Sequence, residues 1–243
     1  MTLVLKLGGS VVTAKDEPET VDDDALAAAA DAVADGPRDV VLVHGAGSFG
    51  HHHADAYGVS TTTGTHDDAG VRAITGSMER LNAAVVEALA DRGVPAVPVH
   101  PFSAGRRDAD GELTLPTGQV RTLLAEGFVP VLHGDLVAHE GEGATVLSGD
   151  ELVVELAVAV DADRVGVCST VPGVLDESGA VVDRIGAFED VAAALGDSDA
   201  TDVSGGMAGK VRALLALDSP AHVFGPDALA AFLAGGAPGT TIE

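Results

Sequence analysis

The sequence predicts an α/β protein, a three-layer αβα sandwich built on an open, mostly parallel sheet. Short runs rich in Val and Leu recur along the chain, Ala-rich stretches with helical spacing lie between them, and glycine-rich turns follow two of the runs. Apolar runs of four or five residues without polar alternation belong to strands covered on both faces. Their alternation with helices makes the connections right-handed crossovers, which place helices on both sides of the sheet.

The elements follow in chain order. Residues 3–7 (LVLKL) form the first strand and end at Gly8-Gly9; residues 24–34, mostly Ala with Leu26 and Val33, form the first long helix. Residues 40–43 are the second strand, and the turn from His44 to Gly50 leads into a helix beginning near His51. A long helix over 68–91 precedes a strand at 96–99. Residues 102–115, with Gly105, Arg106, Arg107, Asp108 and Asp110, form a polar turn or hairpin, and residues 137–146 form another; both are placed to edge a pocket. A helix at 117–126, a strand at 129–132, a helix at 149–160 and a strand at 164–167 come next. Residues 196–209, rich in Asp, Ser and Gly, form a loop into a helix near Met207, and 222–224 is a further strand. The expectation is one domain over 1–243, with an N-terminal lobe to about 160 and a C-terminal lobe from about 161 on one continuous sheet.

The chain has 243 residues, 46% of them hydrophobic, which is ample for a core. It carries 38 Asp+Glu against 13 Lys+Arg, a net charge of −25. Such a surface repels phosphate backbones and anionic bilayers, so neither nucleic acid nor membrane is expected as a partner. Abundant Asp and scarce Lys suit concentrated salt, where a Debye length of about 3 Å at 1 M mutes self-repulsion. With no Trp, one Tyr and six Phe, aromatic stacking is not expected to dominate ligand binding. Cys168 is alone, so a buried thiol in a reducing compartment is expected. No apolar run approaches the roughly 20 residues of a membrane span, and no leader pattern precedes the first strand; the expected location is the cytoplasm.

Lysine is the most informative residue type. There are only three, Lys6, Lys15 and Lys210, each in or near a glycine-rich turn. A compact ammonium on a flexible stem suits a phosphoryl group moving between donor and acceptor. Lys6-Leu7-Gly8-Gly9-Ser10 closes the first strand with two glycines that let backbone N–H groups face an anion, and Lys15 lies a short loop away. His44-Gly45-Ala46-Gly47-Ser48-Phe49-Gly50-His51 repeats the arrangement after the second strand, where the helix dipole adds positive potential. His51 is placed to donate a hydrogen bond to a phosphate oxygen. His51, His52 and His53 form a triple-His run, but adjacent helical residues diverge, so no metal site is expected.

Ser204-Gly205-Gly206-Met207-Ala208-Gly209-Lys210 approaches a Walker A motif but has Ser204 at its first glycine and Val211 at its Ser/Thr. A P-loop is therefore rejected, leaving a loop whose lysine can reach nucleotide phosphates. Leu147-Ser148-Gly149-Asp150 opens a helix; Asp150 is either a helix N-terminal carboxylate or the orienter of two lysines.

With PVLHGD at 130–135 and the closing Gly239-Thr240-Thr241-Ile242, these motifs resemble the amino acid kinase superfamily across nearly the whole chain, and most closely its isopentenyl phosphate kinases. The resemblance implies an amino acid kinase-like fold, phosphoryl transfer from ATP with Mg2+ to isopentenyl phosphate, and a homodimer. It implies Lys6, Lys15, His51 and Lys210 as the catalytic set, and Ala46, Gly50, His51 and Gly149 on the acceptor. Lys6, Leu7, Gly8, Gly9, Ser10, Gly47, Asp150, Gly206 and Lys210 are implied on the nucleotide and the transferring group. His51 separates this branch from relatives acting on carboxylates, carbamate or UMP; fosfomycin kinases share it and are the competing reading, and a non-catalytic nucleotide sensor is the competing class. Two positions depart from the family pattern: Ala46 stands for a common glycine, and Ser169-Thr170-Val171-Pro172-Gly173 stands for a Thr-Asp-Val-Asp-Gly segment.

Overall fold

The computed structural model describes residues 1–195 and 206–243. The N-terminal half runs β1 (Leu3–Leu7), α1 (Gly9–Val12), α2 (Asp23–Asp35), β2 (Val40–His44), α3 (Gly47–Tyr57), α4 (Asp68–Ala90), β3 (Ala96–Pro98), β4 (Arg106–Arg107) and β5 (Leu113–Thr114). There follow α5 (Gly118–Ala125), β6 (Val129–His133), β7 (Asp135–His139), β8 (Gly143–Leu147) and α6 (Gly149–Ala159). The C-terminal part comprises β9 (Arg164–Cys168), β10 (Arg184–Ile185), α7 (Ala192–Leu195), α8 (Gly206–Leu214), β11 (Ala221–Phe224), α9 (Leu229–Leu233) and β12 (Thr240–Ile242). Asp22, Asp67 and Ser148 cap α2, α4 and α6, each accepting a hydrogen bond from a first-turn backbone N–H.

An eight-stranded sheet has the order β10-β12-β11-β9-β1-β2-β6-β3, and only β12 against β11 is antiparallel. β1 sits at its centre, pairing in register with β2 and β9 through Leu3↔Val40 and Leu3↔Arg164. The two-residue period of a strand divides β1 between two cores. Leu3, Leu5 and Leu7 pack with Leu26 and Val33 of α2, Leu81 and Val85 of α4 and Phe232 of α9. Val4 faces the other way, with Leu152 and Leu156 of α6 and Val211 of α8. Full burial of each such side chain contributes about 1.5–3 kcal/mol. Lys6 shares the face of Val4 and emerges where α6 begins.

Several boundaries differ from those expected. β9 runs one residue past its expected end, to Cys168, and β2 and β6 each run one residue past the apolar stretch, to His44 and His133. An imidazole gives no apolar signal in a sequence, yet both of these are buried because each finds hydrogen-bonding partners. α3 starts at Gly47, so His51 lies in its second turn rather than at its start. The two hairpins join into one four-stranded sheet, order β5-β4-β7-β8, through a parallel pairing of Arg106 and Arg107 with Ala138 and His139. Of the expected loop over 196–209, residues 196–205 lie outside the described residues, and α8 begins at Gly206. Cys168 is buried, and burial pushes its thiol up to about 12.

Candidate active site

The C-terminal ends of β1, β2 and β6 converge, and the glycine-rich turns that follow β1 and β2 pack backbone against backbone. A Cβ on Gly9 would stand 2.1 Å from the nitrogen of Gly47, so this approach requires glycine. Gly47 has φ +51, a left-handed conformation that also favours glycine. Thr13 ties the turns together: its hydroxyl donates to the Gly9 carbonyl at 2.9 Å and accepts from the Ser48 N–H at 3.1 Å. Ala46 has φ −73 in the right-handed region, so alanine in place of the family's common glycine brings no backbone strain there.

A cavity of about 180 Å³ opens above these turns. Lys6, Gly8, Gly9 and Ser10 line it from the first turn; Gly45, Ala46, Gly50 and His51 line it from the second. Gly134 and Asp135, Ser148 to Asp150, Ser169 and Thr170, and Lys210 complete the polar wall. Ala54, Ile74, Met78, Val146 and Leu147 form an apolar wall where α3, α4 and β8 meet. Such a cavity suits a ligand with an anionic head and a short apolar body.

Asp150, at the start of α6, joins two cations that are distant in sequence. Lys6 Nζ lies 2.7 Å from Asp150 Oδ1, and Lys210 Nζ lies 3.6 Å from Oδ2. Burial alone would raise the pKa of this carboxyl, but the ammonium groups of Lys6 and Lys210 outweigh it and hold the pKa below the usual range. Asp150 thus pairs with both lysines, at a helix N-terminus that also favours its charge. Lys6 is itself only 7% exposed, so this pairing keeps its charge buried beside the turn.

The floor behind the turns holds a group of residues that lie within or beside the quoted motifs but to which motif reading gave no role. His44 and His133 are register partners at the ends of β2 and β6. His133 donates from Nδ1 to the Gly134 carbonyl at 2.9 Å, leaving Nε2 to accept from His100 Nδ1 at 2.9 Å. His44 lies 3.1 Å from the Gly45 carbonyl and 3.1 Å from the Asn82 side chain. Burial pushes His44 down to about 4 and His133 to about 3, so both rings are neutral at pH 7. Their one sequence signal is position: each directly precedes a glycine that lines the cavity.

Asp135 lines the same cavity, accepting from the Leu136 N–H at 2.8 Å and the Phe102 N–H at 3.2 Å. Burial pushes its carboxyl up to about 7, with Glu79 adding to the rise and the two backbone donors opposing it. A raised folded-state pKa contributes stability that is present at low pH and lost as pH rises from the ordinary aspartate range through about 7. Unfolding free energy should therefore fall by roughly 2 kcal/mol from this group between about pH 5.5 and about pH 8. Urea titrations should show Asp135→Asn losing that part of the pH dependence; an unchanged difference between the two pH values would refute the assignment to Asp135.

Residues 1–219 match the amino acid kinase family. An isopentenyl phosphate kinase of Haloferax volcanii is 66% identical to this chain over 243 residues, covering 99% of this chain and 98% of its own. The chain belongs to the isopentenyl phosphate kinases of the amino acid kinase family. The Methanothermobacter thermautotrophicus isopentenyl phosphate kinase is 35% identical over 230 residues, 88% of this chain and 86% of its own. A solved isopentenyl phosphate kinase structure superposes with a TM-score of 0.84 at 29% identity, each chain fully covered. A Bacillus anthracis UMP kinase, at TM-score 0.66 and 17% identity over 100% of this chain and 95% of its own, shares the fold.

In this family member, Lys6, Gly8, Gly9, Ser10, Ala46, Gly50, His51, Gly149, Asp150 and Lys210 all line the cavity. Four other expected site residues lie elsewhere. The Leu7 side chain is buried in the core, where the β1 pleat points it, and only its carbonyl reaches the turns, accepting from the Gly45 N–H. Gly47 sits behind Gly9 instead of lining the cavity. Gly206 opens α8 with φ +58, four residues before the cavity-lining Lys210, and among the described residues nothing stands within 4 Å of where its Cβ would be. Lys15 is exposed on a turn outside the cavity wall. Ser169 and Thr170, in the segment that departs from the family pattern, do line it, and the Ser169 N–H donates to the Phe224 carbonyl at 2.8 Å. Among the described residues, no group of three or more His, Cys, Asp or Glu side chains is placed to hold a metal ion, and no helix is long and apolar enough to cross a membrane.

Proposed function

We propose that this chain transfers the γ-phosphoryl group of ATP to isopentenyl phosphate, giving isopentenyl diphosphate and ADP. The observation that carries the reading is the convergence of Lys6 and Lys210 on Asp150 at the polar wall of a cavity whose other wall is apolar. Two phosphate anions must meet in line, and even unit charges 4 Å apart repel by about 4 kcal/mol at an effective dielectric near 20. Lys6 and the N–H groups of Gly9 and Ser10, at the start of α1, offset this charge on the phosphoryl group in transfer. Lys210 steadies the donor's β- and γ-phosphates, and Lys15 reaches the moving group from its loop. His51, with the Ala46–Gly50 turn and Gly149, holds the acceptor phosphate, while Ile74 and Met78 pack its apolar body. Asp150 keeps the two lysines apart and aimed. The acceptor is already ionised at neutral pH, so positioning and charge neutralisation suffice without a general base.

Mg2+, implied by the family resemblance, would be held chiefly by the nucleotide phosphates and would neutralise their charge when bound. A cytoplasmic homodimer working in concentrated salt accords with the same reading; its support is the acidic composition, the lone buried cysteine and the family resemblance. The test is phosphoryl transfer from Mg-ATP in molar KCl with isopentenyl phosphate, dimethylallyl phosphate, fosfomycin and UMP as parallel acceptors. Strong preference for isopentenyl phosphate is expected. Preference for fosfomycin would move the acceptor while keeping the lysine chemistry, and ATP binding without transfer to any acceptor would make the chain a nucleotide sensor.

A further inference from the structure

We infer that Glu19 is a positioning residue, a latch that holds the Lys15 loop against the two helices on the acceptor side of the cavity. The inference rests on the reading that Lys15 acts on the phosphoryl group in transfer.

Residues 13–21 form a small closed loop. Thr13 and Val21 pair as an antiparallel bridge, and the Ala14 N–H donates to the Thr20 carbonyl at 3.0 Å. Lys15 sits near the tip, exposed. The returning limb is fastened to the first turn of α3: the Glu19 N–H donates to the Ser48 carbonyl at 3.1 Å, and the Ser48 hydroxyl donates to the Thr20 carbonyl at 3.3 Å.

Glu19 has φ +50, and among the described residues only Asp161 shares a left-handed backbone without being glycine. This conformation is unfavourable for a residue with a Cβ and persists only where the surroundings over-determine it. The side chain supplies that constraint. Glu19 Oε1 accepts from His53 Nε2 of α3 at 2.5 Å and from Arg80 Nη2 of α4 at 2.7 Å. Arg80 also donates to the Gly76 carbonyl at 3.0 Å, which fixes its own direction. One carboxylate oxygen thus ties three segments: the loop with Lys15, the helix with His51 and the helix with Met78. None of Glu19, His53 and Arg80 lines the cavity, so the latch acts on chemistry only through what it holds.

Glu19 is partly exposed at the surface, so its replacement should leave the fold intact. A double-mutant cycle reads the coupling. Glu19→Ala should lower kcat about tenfold or more while leaving the KM for isopentenyl phosphate within about twofold, since misplacement of a catalytic group acts on the transition state. Lys15→Ala should lower kcat by about 10²-fold or more. Adding Glu19→Ala to Lys15→Ala should bring no further loss, because the latch then has nothing left to aim. A readout independent of catalysis is tryptic cleavage after Lys15, which should be several-fold faster in Glu19→Ala than in the native chain. Equal losses from Glu19→Ala in both backgrounds, or an unchanged cleavage rate, would overturn the latch. A crippled Lys15→Ala beside a fully active Glu19→Ala would overturn the latch alone; a fully active Lys15→Ala would overturn the role of Lys15 and the latch with it.

Discussion

Replacing Lys6 with methionine is expected to lower kcat by about 10³-fold or more, roughly 4 kcal/mol of transition-state stabilisation. Methionine keeps the length and apolar stem but removes the charge, at a buried residue whose electrostatic attraction is little screened. The change also leaves the buried Asp150 carboxylate facing the cavity with, among the described residues, only Lys210, 3.6 Å away, to balance it. Breaking a buried pair by removing one partner is destabilising by about 3–5 kcal/mol. The pair Lys6→Met with Asp150→Asn should therefore recover much of the lost stability in urea titrations while recovering almost none of the rate. Recovery of both would mean that Lys6 serves the fold alone.

His51→Ala is expected to lower kcat/KM for isopentenyl phosphate by about 10²- to 10³-fold, the usual loss when one donor to a developing or bound anion is removed. His51 is exposed to the cavity from the second turn of α3, one helical turn beyond the Gly47 nitrogen that packs on Gly9. Turnover with saturating ATP should show His51→Gln, which retains an N–H donor, falling much less than His51→Ala. Equal and nearly native rates for both variants would remove His51 from acceptor binding. A steep fall in both would mean that the ring itself, rather than its donor, is what the acceptor requires.

The fold was legible because its signals are local. Buried parallel strands need uninterrupted apolar runs, and those at 3–7, 40–43 and 129–132 stand out against polar flanks. The turns were legible for the same reason: Gly8-Gly9 and Gly45 to Gly50 directly follow strands, and backbone anion sites need that spacing. The second sheet was only half legible, because each hairpin is local whereas the parallel pairing of β4 with β7 joins segments some thirty residues apart. Strand ends were missed at His44 and His133, since a polar side chain carries no apolar signal and becomes a buried residue only when a partner such as Asn82 or His100 arrives from another element.

By itself the sequence determined the sheet, the crossovers, the two glycine-rich turns and the short supply of lysine around them, all properties of neighbours along the chain. Tertiary structure alone decided that Asp150 bridges Lys6 and Lys210, that Asp135 is buried enough to hold its proton near pH 7, and that Glu19 ties the Lys15 loop to α3 and α4. Charge pairing and desolvation depend on distances in space, and residues as far apart as 6, 150 and 210 acquire such distances only when the crossovers bring the ends of the strands together.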